Sequence, residues 1–448
     1  MGDKCLCLPE KRMKYFFSYL ATALLLISPV YSQELGRRAS WQARISYPDG
    51  GNPGAIVQSI EPDSPLEKAG LQPGDKIIRV NGKLAKDAEA WTEITYSLRA
   101  DTPIHVLFKR GADEKTLTVN LEGRTKEQHT GLDTYYESIL NDYGLRQRVI
   151  ITKPQREGKL PAMFFIGGLS CSSLELPSSS TSNWAKVIRA LVEETNIVVM
   201  RVEKVGVGDS EGDCSQTDFH TEVAGYRAAL QALKQKPYVD TTQIIIYGSS
   251  MGSAIAPTLA NEFNLKGVIS DGTFFKTWYE HMLDIERRIR QMEGDSEAEI
   301  VRKMNDIYIP LYHGMLIEKK TYAEVINEYP ALAEYNYHAP AHMYGRPVAY
   351  YHQLQDFNLA KGWEELKAPV RIMRGTNDWI MSAYDNEMIM QVLERNGHQD
   401  HELYQFPGLD HWNTIHQTPT DSYLGKPGEW DEKISSILVE WTKELITK

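Results

Sequence analysis

The chain has 448 residues, of which 42% are hydrophobic and 24% charged, the composition of a globular protein long enough for two or three domains. Its 49 basic and 60 acidic residues give a formal net charge of −11. Because this charge repels phosphate backbones and no concentrated basic tract lies outside the extreme N-terminus, the composition argues against nucleic acid as a partner.

The first 32 residues have the pattern of an export signal. A basic stretch at 11–14 precedes an apolar run over 15–30 that is short for a membrane span. Small residues near the end of this segment favour cleavage after Ser32. We therefore predict a signal peptide over 1–32 and a periplasmic or secreted protein. The alternative is an uncleaved segment that anchors the chain in the inner membrane.

A small module is predicted over 36–123. The segment 62–82 has the pattern of a short helix capped by Ser64 and ending at Gly70, then a Pro-Gly-Asp turn, a strand and an Asn-Gly hairpin turn. This run resembles a bacterial PDZ domain. The resemblance implies a small β-rich fold ahead of the main domain.

PDZ domains bind a peptide's C-terminal carboxylate with the backbone N–H groups of one loop, while the peptide adds a strand to a sheet edge. The resemblance places this loop near 41–44, where Gln42-Ala43 replaces the usual apolar-Gly pair. Two roles therefore stay open for the module: binding of a peptide C-terminus, and structural or intramolecular docking. The polar residues over 125–130 predict a linker to the next domain.

Strand and helix patterns alternate in the rest of the chain. Apolar runs predict buried strands, with helical patterns between them: strands at 163–166, 197–202 and 244–247, and helices at 184–192 and 223–233. Alternation at this spacing is typical of a mostly parallel sheet covered by helices.

Ser250 lies in a Gly-x-Ser-x-Gly sequence between a strand pattern and a run of small, helix-compatible residues. Gly248 and Gly252 lack the Cβ atoms that would clash in a tight strand-to-helix turn, so the turn can hold a strained serine with its hydroxyl exposed. Ser250 is therefore the predicted nucleophile. Ser249 lacks this glycine frame and is the weaker candidate.

A serine hydroxyl attacks near neutral pH only when a base accepts its proton, so a carboxylate and a histidine are expected in the order Ser, Asp, His. Asp378 follows a buried strand pattern, and His411 follows the next short strand pattern. They are the predicted orienting acid and base. Asp271, Asp356 and Asp385 remain alternatives for the carboxylate.

No metal and no cofactor are predicted. His338 and His342 are four residues apart, but Pro340 between them disrupts the helix that would direct both at one metal. The glycine-rich loop at 206–212 departs from the Gly-x-Gly-x-x-Gly spacing, and no helix start follows it, which argues against a dinucleotide site.

Taken together, these motifs resemble an α/β-hydrolase over 132–448. The resemblance implies an α/β fold whose Gly167-Gly168 corresponds to the family's His-Gly oxyanion loop, with glycine in place of the histidine. It also implies that the backbone N–H groups of Leu169 and Met251 form the oxyanion hole, because that role needs only backbone donors.

Residues 273–362 interrupt the alternation with helical stripes and no strand pattern, which predicts a helical lid. Most of the apolar stripe that begins at Trp278 is expected to pack against the domain. The segment is also rich in tyrosines, which would suit an aromatic, partly polar lining for an acyl or aromatic group: Tyr308, Tyr312, Tyr322, Tyr329, Tyr335, Tyr337, Tyr344, Tyr350 and Tyr351. The substrate-binding residues themselves are not identified.

Four cysteines are present, and Cys5 and Cys7 would leave with the signal peptide. Cys171 and Cys214 would remain in an oxidising compartment, each just after a strand, and the two strands are expected to be neighbours. A disulfide between them that braces the active-site rim is a hypothesis.

The resemblance implies two-step acyl transfer, in which His411 accepts the proton of Ser250, Asp378 holds the imidazole, and water releases the acid. Hydrolysis of carboxylic esters is the favoured reaction. Because the same constellation cleaves amides on this scaffold, a serine peptidase of the prolyl-oligopeptidase or aminopeptidase type is the alternative. A PDZ scaffold protein with a silent hydrolase fold is the third reading. The expected partners are thus a small-molecule or peptide substrate and, at the PDZ domain, a peptide C-terminus.

Overall fold

A computed structural model describes residues 34–47, 54–335 and 342–447. The predicted signal peptide over 1–32 and His338 lie outside these described residues. Among the described helices, none is long and apolar enough to cross a bilayer.

The N-terminal part of the described chain forms a small antiparallel sheet with strand order β1-β2-β3-β5-β6, and β4 pairs with β3. Its elements are β1 (Ala43–Ser46), β2 (Ala55–Ile60), α1 (Pro65–Lys68), β3 (Lys76–Val80), β4 (Lys83–Leu84), α2 (Ala88–Ser97), β5 (Pro103–Arg110) and β6 (Asp113–Asn120). The hydroxyl of Ser64 accepts a hydrogen bond from the N–H of Glu67 at the start of α1. Asn81 and Gly82 both have positive φ, 49° and 78°, as the predicted tight hairpin turn requires.

The second sheet has eight strands in the order β16-β15-β12-β11-β9-β10-β8-β7. Its first part comprises β7 (Leu132–Leu140), β8 (Arg146–Pro154), β9 (Leu160–Ile166), α3 (Asn183–Glu194), β10 (Val198–Val202), α4 (Phe219–Lys234), β11 (Val239–Ser249), α5 (Met251–Phe263) and β12 (Gly267–Asp271). The six strands from β16 to β10 pair in parallel, whereas β8 and β7 are antiparallel.

The segment predicted as a lid is mainly helical. It contains α6 (Trp278–Met292), α7 (Glu297–Lys303), α8 (Ile309–Tyr312), α9 (Tyr322–Glu328), the short strands β13 (His342–Met343) and β14 (Arg346–Pro347), α10 (Val348–Asp356) and α11 (Leu359–Glu364). The expectation of no strand here is wrong for β13 and β14, because two-residue strands are too short to produce an alternating pattern. The chain ends with β15 (Val370–Gly375), α12 (Ala383–Arg395), β16 (His401–Phe406), α13 (Pro419–Tyr423) and α14 (Lys433–Thr447).

Alternating residues of β9 enter two different cores. Phe164 and Ile166 pack with residues of α4 and α5, while Met163 and Phe165 pack on the other face with residues of α3 and α14. Because both faces of the strand are covered by helices, every position is apolar, which explains the continuous hydrophobic run in the sequence.

The residues before and after the small sheet connect it to the larger one. The guanidinium of Arg38 is buried and donates hydrogen bonds to the carbonyl oxygens of Gly206 (2.7 Å) and Gly208, in the loop after β10. Arg37 bonds Asp209 in the same loop at 2.5 Å. Glu127, in the predicted linker, is buried against Arg201 rather than solvated. The small sheet is therefore held against the larger domain, although the domain boundaries themselves stay predictions.

Candidate active site

Residues 248–252, which span the end of β11 and the start of α5, are called the elbow. Ser250 has φ 54° and ψ −122°, a strained conformation for a residue with a side chain. A Cβ atom on Gly248 would lie 2.4 Å from the carbonyl oxygen of Gly252. One on Gly252 would lie 2.6 Å from the carbonyl oxygens of Ile166 and Gly167. The two glycines are therefore required by the backbone around Ser250.

Ser250, His411 and Asp378 lie together, although they come from three separate loops. The Nε2 atom of His411 is 3.0 Å from the Oγ of Ser250, and its Nδ1 is 2.9 Å from the Oδ2 of Asp378. The other carboxylate oxygen of Asp378 accepts the N–H groups of Ile380 (2.9 Å) and Met381 (2.8 Å), so the carboxylate is fixed in orientation. The three groups form a continuous hydrogen-bonded relay.

The electrostatics around His411 favour its protonated form. Burial lowers the pKa of the His411 imidazole, but the charge and hydrogen bond of Asp378, together with the charges of Asp271 and Asp410, leave that pKa above its ordinary value. An imidazole with a raised pKa is a stronger base, and the adjacent carboxylate stabilises the imidazolium that forms when it takes a proton.

The alternative aspartates have other partners. Asp271 accepts a hydrogen bond from the hydroxyl of Tyr247 at 2.7 Å, and burial raises its pKa to about 6. Asp385 accepts from Ser382 at the start of α12, and Asp356 pairs with Lys319 on the surface. Among the described contacts, none of these carboxylates hydrogen-bonds the imidazole of His411, and that imidazole bonds Ser250 rather than Ser249.

The oxyanion loop, residues 167–174 after β9, lies against the elbow. A Cβ atom on Gly168 would be 3.0 Å from the Cβ of Ser250, so Gly168 is in close contact with the serine. Met251 is the first residue of α5, where the backbone N–H has no intrahelical acceptor. Among the described hydrogen bonds, neither the Leu169 N–H nor the Met251 N–H donates to a protein group. Leu169 follows Gly168 and Met251 follows Ser250 in the chain, and the role of these two N–H groups in an oxyanion hole stays a prediction.

Two adjoining cavities meet at His411. The first, of about 390 Å³, contains Ser250 and is walled mainly by apolar groups, among them Phe274, Trp278, Ile285 and Met381. The second, of about 1260 Å³, is polar and extends past the serines at 170–182 to residues 124–128, which overlap the predicted linker at 125–130, and to Ser40. The described residues 34–47 and 54–123 are called the N-terminal unit. The reacting groups therefore adjoin both an apolar pocket and a polar cleft, and Ser40 of the N-terminal unit forms part of the wall of the cleft.

Fewer of the lid tyrosines line the first cavity than the sequence predicts. Of the tyrosines in this segment, Tyr344 lines the cavity, beside Trp278 and His281 of α6. Tyr350 and Tyr351 are buried in the core instead, as are Tyr308, Tyr312 and Tyr322. The expectation of a tyrosine-rich lining is wrong for these five, because their rings fill space between helices that the sequence pattern does not locate. Tyr337 lies outside the described residues.

Cys171 and Cys214 form a disulfide, which joins the oxyanion loop to the loop that follows β10. In the described ranges, no group of three or more His, Cys, Asp or Glu side chains is arranged to hold a metal ion. Two residues of this site were not identified from the sequence. His281 stacks on Phe274 with ring centroids 4.3 Å apart, and Lys204 bonds the oxyanion loop. Neither residue lies in a recognisable sequence motif, because its role in the site depends on the residues that contact it in the folded chain.

Two segments of the chain match the models of known protein families. Residues 179–415 match the model of a family described as Serine aminopeptidase, S33, and residues 29–121 match a PDZ domain model. These matches confirm the predicted α/β-hydrolase fold preceded by a β-rich PDZ domain.

Curated relatives match over short stretches. The chain is 35% identical over 74 residues to a probable periplasmic serine endoprotease DegP-like from Marinomonas sp. (strain MWYL1), covering 16% of each protein. It is 33% identical over 87 residues to the zinc metalloprotease RasP from Geobacillus kaustophilus (strain HTA426), covering 19% of this chain and 20% of that protein. The chain thus spans a fifth or less of the length of these relatives.

Among solved structures, the chain is similar to acetyl xylan esterase 1 from Thermoanaerobacterium sp. JW/SL YS485. The two share 14% sequence identity and a TM-score of 0.43, and the similarity covers 72% of this chain and 86% of that one.

Proposed function

We propose a serine hydrolase function for this chain, which belongs to the Serine aminopeptidase, S33 family. The observation that carries the proposal is the relay from the Ser250 hydroxyl through His411 to Asp378, with distances of 3.0 and 2.9 Å. In the proposed mechanism His411 accepts the Ser250 proton as the serine attacks a carbonyl carbon, and the imidazolium then protonates the leaving group.

The developing negative charge on the substrate oxygen is stabilised by the N–H groups of Leu169 and Met251. Water then attacks the acyl-enzyme carbonyl as His411 accepts a proton from it. The bond between the acyl carbon and the Ser250 oxygen breaks, the acid leaves, and the imidazolium returns the proton to that oxygen. Asp378 holds the imidazole in the tautomer with the proton on Nδ1, so that Nε2 is free to act as the base.

The proposed reaction is hydrolysis of carboxylic esters with an apolar acyl group. The cavity of about 390 Å³ that contains Ser250 is lined by apolar and aromatic groups, with Trp278 and Ile285 on the lid side, and no Asp or Glu is among its described lining residues. An aminopeptidase substrate would bring a charged ammonium group to the reacting carbonyl, and burying that charge without a carboxylate is unfavourable.

A peptidase activity is the second candidate. Two observations favour it: the description of the matched family, and the polar cleft of about 1260 Å³ that leads from His411 past the serines at 170–182 to Ser40. That cleft is large enough for an extended chain on the leaving-group side.

Two assays separate these possibilities. A fluorophosphonate probe should label Ser250 in the wild type and leave Ser250→Ala unlabelled. Turnover of 4-nitrophenyl butyrate is then compared with turnover of alanine and leucine 4-nitroanilides. Ester turnover that is lost in Ser250→Ala supports the esterase; anilide turnover without ester turnover identifies the peptidase. A folded wild type that neither reacts with the probe nor cleaves either substrate would leave the scaffold protein as the remaining reading.

The proposal includes export from the cytoplasm. The Cys171–Cys214 disulfide supports it, because disulfides persist mainly in oxidising compartments. Intact mass after alkylation, with and without reduction, tests the pairing in protein isolated from its native compartment. Two alkylated cysteines without reductant would contradict it.

For the PDZ domain, the contacts favour docking within the chain over an independent role. The buried guanidinium of Arg38 donates a hydrogen bond to the carbonyl of Gly206 in the loop after β10. Trp41 of the predicted carboxylate loop packs within the PDZ domain, on Trp91 of α2, with ring centroids 4.8 Å apart. The PDZ family match supports a peptide as partner. Titration of the protein with short peptides ending in apolar residues, followed by Trp fluorescence, tests that binding, since Trp41 adjoins the expected carboxylate site.

A further inference from the structure

Lys204 is a buried lysine in the loop after β10, and it is 6% exposed. Its ammonium donates hydrogen bonds to the carbonyl oxygen of Gly168 and to that of Ser170 (2.8 Å), both in the oxyanion loop. No carboxylate lies within 4.0 Å of this ammonium among the described ion pairs, although buried lysines are usually paired with one. The partners of this charge are thus backbone carbonyls beside the active site.

The first of these bonds bears on the predicted oxyanion hole. The carbonyl of Gly168 and the N–H of Leu169 belong to one peptide group, and in a trans peptide the C=O and N–H point in opposite directions. Holding the carbonyl on the Lys204 side therefore directs the Leu169 N–H to the opposite side. Gly168 packs against Ser250, so the direction of this peptide decides whether the N–H is available at the reacting carbonyl.

This peptide group has little else to fix it. Gly167 and Gly168 have no side chains, and glycine populates conformations that permit a peptide to rotate. The other bonds that hold the oxyanion loop act further along it: Glu203 accepts the Leu174 N–H at 2.9 Å, and the disulfide begins at Cys171. Among the described contacts, Lys204 is the side chain that bonds the Gly168–Leu169 peptide directly.

We propose that Lys204 is a positioning residue for the oxyanion hole, which holds the Gly168–Leu169 peptide in the orientation that aims the Leu169 N–H at the developing negative charge. This inference rests on the proposed serine hydrolase function. Lys204 does not touch the reacting atoms; it acts through the peptide. An ammonium on the carbonyl oxygen also polarises the peptide group, which makes the N–H a better donor.

The charge of Lys204 is sensitive to pH near neutrality. Burial lowers the pKa of Lys204 to about 8; the charges of Glu222 and Glu203 oppose this effect, and that of Arg346 adds to it. As the pH rises through this value, the ammonium loses its proton and its bonds to the two carbonyls become neutral, which makes them roughly half as strong. The wild type should therefore lose kcat above about pH 8.

The test compares Lys204→Met with Lys234→Met, using 4-nitrophenyl butyrate as substrate. Lys234 is a matched control, because its ammonium also donates to a backbone carbonyl. Its acceptor is the carbonyl of Phe263, at 2.8 Å, at the C-terminal end of α5. We expect Lys204→Met to lower kcat about 100-fold with KM changed by less than about 3-fold, as for loss of one oxyanion donor. Lys234→Met should keep the wild-type kcat.

Two further readouts separate positioning from a general structural role. The affinity for an alkyl trifluoromethyl ketone, which forms an oxyanion on Ser250, should fall in Lys204→Met in parallel with kcat/KM. The alkaline decline of kcat near pH 8 should be present in the wild type and absent in Lys204→Met. A merely loosened fold would affect KM as well and would not remove one limb of the pH profile.

Wild-type kcat in a folded Lys204→Met variant would overturn the inference and leave the proposed function intact. If that variant does not fold, Lys204→Gln, which removes the charge and shortens the side chain, is measured in its place. Wild-type kcat in that folded variant overturns the inference. A wild type that neither turns over the ester nor reacts with a fluorophosphonate defeats the proposed function itself, and the inference with it.

Discussion

The elbow and the oxyanion loop face each other across the reacting hydroxyl, but they are held in place in different ways. The elbow is shaped by its own backbone, since Gly248 and Gly252 make room for the strained Ser250 and α5 begins at the next residue. The oxyanion loop is held from outside, by Lys204 and Glu203 from the loop after β10 and by a disulfide to Cys214.

This difference has a consequence for the PDZ domain. The loop after β10 that holds the oxyanion loop also receives Arg37 and Arg38 from the N-terminal unit, through Asp209 and through the carbonyl of Gly206. A change in the N-terminal unit therefore has a short physical route to the oxyanion loop, through the loop after β10. We expect substitutions in the elbow to cause large losses of kcat. For substitutions around the oxyanion loop, we expect the loss of kcat to decrease with distance from the reacting atoms.

The largest effect is expected at Asp378, the carboxylate that orients His411. Asp378→Asn should lower kcat about 10⁴-fold, because the amide favours the wrong imidazole tautomer. Asp378 also raises the pKa of His411, and protonated His411 cannot act as a base, so wild-type activity should fall as the pH decreases through that raised pKa. In the variant this acid limb should move to lower pH. Asp356→Asn is the control, since Asp356 lies on the surface and pairs with Lys319. A pH profile equal to that of the wild type in Asp378→Asn would contradict the assignment.

A severe local effect is expected in the elbow. In Gly252→Ala the new methyl group would lie 2.6 Å from the carbonyl oxygens of Ile166 and Gly167, at the end of the buried strand β9, where backbone atoms cannot move away easily. We expect a loss of about 3 kcal/mol in the free energy of unfolding and a drop in kcat of at least about 100-fold. Urea denaturation and ester assays measure both. Gly36→Ala is the control, since its nearest contact would be 4.0 Å away.

A smaller effect is expected when the oxyanion loop loses its covalent support. Replacing Cys171 and Cys214 together with serine removes a cross-link between residues 43 apart in sequence, which corresponds to about 3–4 kcal/mol of unfolding free energy. The oxyanion loop keeps its bonds to Lys204, so kcat should fall only about 10-fold. Reducing agent should reproduce this loss in the wild type and have no effect on the double variant. A variant as stable as the oxidised wild type would show that the disulfide does not brace this rim.

The smallest effect on activity is expected at the contact with the N-terminal unit. Arg38→Ala leaves the buried carbonyls of Gly206 and Gly208 without their donor, which costs about 2 kcal/mol of unfolding free energy. Because this contact reaches the reacting atoms only through the loop after β10 and then the oxyanion loop, kcat should fall only about 3-fold. Arg79→Ala is the control, since Arg79 bonds the carbonyl of Gly82 within the PDZ domain. A kcat loss as large as that of Lys204→Met would mean that the graded comparison is wrong.

Much of this architecture follows from local sequence. The apolar runs of a sheet covered on both faces, the glycines around Ser250 and the order of Ser250, Asp378 and His411 all depend on residues close together in the chain or on strand ends. The structure brings these three side chains into hydrogen-bonding distance, while their catalytic roles stay a proposal. The turn at Asn81-Gly82 was predictable for the same local reason.

Other features were decided only by the tertiary structure. Lys204 and Glu127 are charged residues in polar stretches, which predict solvent exposure, yet both are buried because distant segments supply their partners. Likewise Tyr350 and Tyr351 fill the core rather than line the cavity. Periodicity and turn chemistry are properties of neighbouring residues, so a sequence determines them directly. The burial of a charge or a ring depends on which remote backbone packs against it, and that is settled only when the chain has folded.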